Sequence, residues 1–422
     1  MSVSSKTTRS KAEDARSTTR ATYRAPARGG STPRLISQAR TGSLNRTRLL
    51  QILYDAGPLS RADLARAADV AKTTIGSIVQ PMLDEGLLVE GDPVKSSAAG
   101  GKPARPIWFS PAGRPIVAVH ALPGTIKAAL VSPTGQLLKI ASRTYSGTRS
   151  STATILDCVA DCIESVLPTD DARVLGIGIA VSGIVDTDRG HIVAVNLAPR
   201  LSGLDLGPLI SERLALPVHI DHHPRVQTLG DRWFGAGRRV SSFASVYCGE
   251  AIGAGFVIDG EVHRGPAGAG GEVGHTIVDL DGAICRCGRR GCWETVAADR
   301  WLSSQAASLG LPHPRTMTAG RLRNLVEADQ PRADQLLDRY ARNVAVGLIN
   351  LQQTLAPGLF ILHGGVVEGG DALREKIEGH LLSGVAQQPS GDPKVLFAEE
   401  HDDITMLGAA GLVLSQSLEL LT

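Results

Sequence analysis

Aromatic residues are scarce in this chain: six Phe, five Tyr and four Trp make up 4% of its 422 residues. Its cores must therefore be aliphatic, and the plentiful Gly, Ala, Val and Leu favour an α/β protein. No apolar run reaches the roughly 20 residues that a helix needs to cross a bilayer, so a membrane partner is not expected. The first residues are polar and Arg-rich and lack the apolar core of a secretory signal. Cysteine is also rare, with six in the chain, yet three of them fall within eight positions. Thiols so close together suit a reducing compartment, and the expected location is cytoplasmic. The length allows two or three domains, each able to bury a core.

Charge is nearly balanced at +2 overall but unevenly placed. Residues 1–110 hold 17 Lys/Arg against 9 Asp/Glu, and the remaining 312 hold 27 against 33. A basic front on an acidic body points to a polyanion at the front. Residues 1–40 are rich in Ser, Thr, Arg, Gly and Pro and are expected to be a disordered basic tail. Such a tail is either a solubilising segment or an arm for phosphates.

Residues 41–110 change character. LNRTRLLQILYDAG, from Leu44, has apolar residues at helical spacing and stops at Gly57. Ser60 caps a second helix, SRADLARAA, with Asp63 as its acidic partner. A third helix, AKTTIGSIVQPMLDEG, closes at Gly86, and Pro81 predicts a kink in it at a cost of about 3 kcal/mol. Three short helices at this spacing read as a helix-turn-helix. LLVEGD and ARPIWFSP are β-prone and form a hairpin wing. The third helix would enter the major groove of double-stranded DNA with Lys72, Thr73, Thr74 and Ser77 toward bases. Ser60 and Arg61 at the second helix, and Lys102 and Arg105 on the wing, complete the expected DNA-facing set. A small helical adaptor with solvated charges is the alternative.

The stretch GEVGHTIVDLDGAICRCGRRGCWE, Gly271 to Glu294, supplies one His and three Cys: His275, Cys285, Cys287 and Cys292. Four N/S donors complete a tetrahedral zinc set with no open position, which implies a structural metal and not a catalytic one. Gly288 and Gly291 let the turn fold tightly.

GEVGH followed by CRCGRRGCWE resembles the signature of the ROK family of sugar-dependent transcription regulators and sugar kinases. GEAIGAGFVIDGEVHRG and LFILHGGVVEGG resemble that family's glycine-rich segments on either side, and the likeness covers residues 111–422. The front resembles the winged helix-turn-helix that precedes the ROK domain in family regulators. The resemblance implies a two-lobed actin-like (ribonuclease-H-like) ATPase fold, with the final helix returning to the first lobe. Local patterns agree. VLGIGIAVSGIVD is a buried strand entering a Gly turn, LPVHI is another strand, and RADQLLDRYARNVAVGLINLQQTL is a long amphipathic helix.

The family's kinases need three parts that are altered here. Their Asp-x-Gly-Gly-Thr hairpin reads His120-Ala121-Leu122-Pro123-Gly124. Their Asn-Asp pair, whose carboxylate is the general base, is replaced by His222 and His223. Their Gly-Thr-Gly-x-Gly loop carries Glu250, an anion that would repel a polyphosphate. Kinase activity is expected to be lost. Glu272, His275 and Glu294 match family residues that bind sugar hydroxyls, and Asn196 is placed near the same cleft with His222 and His223. These are the expected effector contacts, for a sugar or sugar-phosphate, though Glu272 could instead only orient His275. His219, Asp221, His222 and His223 as an extra metal site is the weaker reading.

The whole predicts a DNA-binding transcription regulator, a repressor of carbohydrate-related genes acting as a homodimer or tetramer. The alternatives are a sugar kinase with a fused DNA-binding head and a ligand-independent DNA-binding dimer.

Overall fold

The structure, a computed structural model, describes residues 38–94, 103–147, 149–169, 174–195, 198–387, 389, 391–399 and 403–416. The basic tail up to residue 37 lies outside them, as do Lys102 and Asn196.

At the front, α1 (Gln38–Ala56) buries Leu49, Leu50 and Leu53 and ends at Gly57, which takes a positive φ of 79°. It begins six residues before Leu44, inside the stretch expected to be tail. The short β1 (Leu59–Ser60) leads into α2 (Arg61–Ala67), where Ser60 and Asp63 form a reciprocal capping box. α3 (Lys72–Asp84) buries Ile75, Val79 and Met82 and runs through Pro81 as one helix. Pro81 is exposed and lies three residues from the helix end, so its missing N–H affects only the last turn. β2 (Leu88–Glu90) and β3 (Pro106–Phe109) form the expected hairpin. β1 adds a third strand in the order β1-β3-β2.

The body repeats one topology twice. The first lobe holds β4 (Ile116–Leu122), β5 (Thr125–Val131), β6 (Leu137–Thr144), α4 (Thr152–Glu164), β7 (Ile177–Val181), the hairpin β8 (Ile184–Asp186) and β9 (His191–Ala194), α5 (Leu206–Leu214), β10 (Val218–His222) and α6 (His223–Trp233). Its sheet order is β10-β7-β4-β5-β6, antiparallel from β4 to β6 and parallel from β4 to β10. The second lobe holds β11 (Phe243–Cys248), β12 (Ile252–Ile258), β13 (Glu261–His263), α7 (Glu294–Ala297), α8 (Asp299–Ser308), α9 (Ala319–Glu327), α10 (Ala333–Leu355), β14 (Leu359–His363), α11 (Gly370–Gly384) and β15 (Lys394–Phe397). Its order, β13-β12-β11-β14-β15, has the same mix of antiparallel and parallel pairs. Two such sheets make the two-lobed actin-like fold. Buried aliphatic strands read as continuous apolar runs because helices cover both faces.

The final helix, α12 (Ile404–Gln416), returns to the first lobe and packs on β4, β7 and α6. Glycines make this contact backbone to backbone. A Cβ on Gly230 would lie 2.1 Å from the Ile404 carbonyl oxygen, and one on Gly408 would lie 1.9 Å from that of Val226. Helices packed this closely cannot slide without opening the core.

Candidate functional site

The turn after β13 brings His275, Cys285, Cys287 and Cys292 together, with one donor atom from each lying within 4.8 Å of the others. Cys285 Sγ is 3.6 Å from His275 Nδ1, and Cys287 Sγ is 3.7 Å from Cys292 Sγ. Those spacings fit the edges of a tetrahedron around zinc, about 3.6 Å for S···N and about 3.8 Å for S···S at standard bond lengths. They are far too long for a disulfide. Gly291, at a φ of 73°, lets the turn pass so close that a Cβ there would meet the Asp279 carbonyl oxygen at 1.5 Å. Burial, with the neighbouring Cys287 and Cys285 thiols, pushes Cys292 up to about 12. Such crowded thiols ionise together only around a cation.

The cleft residues do not converge as one set. His222 closes β10 and places Nδ1 3.5 Å from Glu272 Oε1. Burial raises Glu272 and holds His222 well below the usual imidazole range. Glu294 is buried and accepts from Arg300 at 3.0 Å, with Cys285 Sγ at 3.9 Å. Beneath them lies a buried pair, Asp221 with Arg225, whose Nε donates to Oδ1 at 2.7 Å. Arg264 reaches the other oxygen at 3.1 Å. The extra metal site does not form: among the described residues the only His/Cys/Asp/Glu group placed to hold an ion is the His275 cluster. Asp221 is spent on arginines.

His223 turns away from His222 because the strand ends and α6 starts between them. Its ring stacks on His120 at 4.8 Å and meets Tyr247 edge-on at 4.8 Å. These rings, with Lys127 and His363, line a cavity of about 350 Å³. Burial, helped by His363, depresses His223 to about 4, which makes it a far weaker base at neutral pH than an active-site base tuned toward the working pH. A second cavity, of about 720 Å³, lies against the Glu250 turn and is lined by Arg286, Arg300, Arg315, Arg321 and Arg323.

The profile of the ROK family matches residues 123–416. This chain belongs to the ROK family. It is 25% identical to the xylose repressor of Bacillus subtilis over 391 residues, which span 92% of this chain and 99% of that protein. It is 28% identical to a glucokinase of Halalkalibacterium halodurans over 311 residues, 69% of this chain and 92% of that one. A solved ROK family transcriptional regulator, a homolog of the E. coli MLC protein, superposes with a TM-score of 0.75 at 23% identity, covering 90% of this chain and 98% of that chain.

Ahead of the ROK body, Lys72, Thr73 and Ser77 are exposed on α3 and Thr74 is half-buried. Ser60 is only 8% exposed, and its hydroxyl serves the capping box. Arg61 is paired with Glu90 of the wing. Both side chains, expected to face DNA, are engaged within the head instead. Arg105 is exposed on the wing. Sequence reasoning overlooked Arg300, Tyr247 and His363. Each is remote in the chain from the motif it joins, and only the folded lobes bring them together.

The buried histidines set a pH dependence for this ROK protein. His120, His222 and His223 are all pushed down, chiefly by burial. Each stays neutral in the fold but takes a proton below about pH 6.5 when unfolded. Stability is therefore present above that pH and is lost as pH falls below it. Asp299, raised to about 6 by burial, and Glu272, also raised, oppose this. The expected net change is a fall in stability as pH drops below about 6.5, reduced in part by the two carboxyls. Urea unfolding measures it. His223→Asn should flatten the slope by about one proton, and an unchanged slope would mean that the ring is already charged in the folded protein.

Proposed function

We propose that this chain is a sequence-specific DNA-binding repressor of carbohydrate-related genes, answering to a sugar or sugar-phosphate and transferring no phosphoryl group. One observation carries the reading. A winged helix-turn-helix is fused to a ROK body whose general-base position holds His223, a buried, weakly basic ring. The near full-length match to a repressor supports it.

In this reading Lys72, Thr73, Thr74 and Ser77 read an operator, while Lys102 and Arg105 hold phosphate. Glu272, His275 and Glu294 meet the effector with His222 beside Glu272, whereas His223 faces the cavity at His120 and is not part of that set. His275, Cys285, Cys287 and Cys292 hold a structural zinc that braces this wall. The protein works in the cytoplasm as a homodimer or tetramer, so its operator carries two-fold symmetry. No helix among the described residues is long and apolar enough to cross a membrane.

The likeness to a glucokinase gives the kinase alternative a concrete test. Purified protein with ATP and a panel of hexoses, pentoses and N-acetylhexosamines should release no ADP above a protein-free control. The same sugars and their phosphates should include at least one that raises the melting temperature, since a cleft ligand stabilises the folded state. Steady ADP release with any sugar would overturn the reading. An absence of any thermal shift would favour a ligand-independent DNA-binding dimer.

A further inference from the structure

Both lobes and the head meet at one helical turn. The last turn of α6 carries Asp231 and Arg232 side by side. Asp231 is 2% exposed and faces the second lobe. Its Oδ2 accepts from Ser245 Oγ at 2.5 Å and lies 2.7 Å from His363 Nε2. Arg232 faces the head. Its guanidinium is 3.7 Å from Asp55 Oδ2, and its carbonyl accepts from Gln51 Nε2 at 2.9 Å.

The residues that follow extend the grip on α1. The Trp233 and Phe234 rings meet the Tyr54 ring edge-on at 6.3 and 5.2 Å. The Arg238 guanidinium lies over that ring at 4.7 Å and donates to the Tyr54 carbonyl at 3.1 Å. At its other end α6 starts with His223 on the wall of the smaller cavity, and His363 lines the same cavity. Between these ends Gly230 and Gly408 lock α6 to α12 and so to the first lobe.

We propose that this turn is the joint through which the angle between the lobes sets the posture of the DNA-binding head. Asp231 follows the second lobe through His363 and Ser245. Arg232, Trp233 and Phe234 pass that position to α1 through Asp55 and Tyr54. Adjacent residues on one helical turn cannot move independently without breaking helix hydrogen bonds. His363 is the last residue of β14, just ahead of the Gly364–Gly365 turn. A ligand that shifts this corner must carry Asp231 along or strip a buried carboxylate of its partners, which is costly. The coupling is reciprocal, so DNA that fixes the head also biases the lobes. This inference rests on the ligand-responsive repressor reading above.

The test is amide hydrogen exchange on the full chain, read at α1 residues 49–54, in a cycle of His363→Gln and Asp55→Asn. Each single change should speed exchange there about fivefold or more. The double variant should exchange clearly more slowly than the product of the two single effects, because both changes weaken one chain of contacts. Exchange in β4 and β7 should match the parent. If His363→Gln also speeds exchange in those strands, Ser245→Ala takes its place as the milder cut at Asp231. Unchanged α1 exchange on cutting at Asp231, or effects that simply multiply, would overturn the joint. Loss of specific DNA binding in the parent would refute the repressor reading and leave the exchange result standing, so the two failures are separable.

Discussion

The Cys287→Ser protein should bind no zinc and melt about 10 °C or more below the parent. Cys287 is half-exposed, so exchanging sulfur for oxygen there barely alters core packing. What it removes is one of the four proposed ligands. Zinc bound to such sets contributes about 10–16 kcal/mol in small peptides, comparable with the whole stability of a domain. The loop has little apolar packing of its own. Ile277, Leu280 and Ile284 are exposed, so beyond backbone turns such as Cys285 N–H to the Arg289 carbonyl the metal would be its main anchor. Even a loss of about 3–5 kcal/mol would produce this shift. Metal analysis with thermal unfolding decides it, and undiminished zinc in the variant would refute the ligand assignment.

Replacing Lys72 and Thr73 together by Ala should weaken binding to the preferred operator about 10- to 100-fold and leave binding to unrelated DNA much less affected. Both side chains are exposed on the first turn of α3. Ala71 offers no side-chain cap, so the Lys72 and Thr73 N–H groups stay available to a phosphate. Arg105→Ala should behave differently. It should lower affinity for every sequence alike and reduce the salt slope by about one. Electrophoretic titrations at two salt concentrations separate the two behaviours. Equal loss on all sequences from the α3 change would mean that the helix holds backbone and does not read bases.

Short-range chemistry was legible in the sequence. Ser60 with Asp63 marks the start of α2, and Gly57 and Gly86 stand where helices stop because they adopt positive φ. The His275–Cys292 spacing gathers four donors because one tight turn supplies three of them. Long-range effects were hidden. β1 has two residues and exists only because β3 lies beside it. His222 and His223 look like a pair in the chain, yet the change from strand to helix sends one to Glu272 and the other to His120. Arg61 looks available for DNA until the wing brings Glu90 to it. The turn at Asp231 and Arg232 has no sequence signature, since its meaning lies in what the two lobes and the head place around it.

The most direct test of a sequence-specific regulator is selection of genomic DNA fragments by the purified full-length protein at physiological salt, followed by sequencing. Enrichment of a few fragments that share an inverted repeat is the predicted result. Recovery of fragments with no shared sequence, with and without the sugar panel, would contradict it.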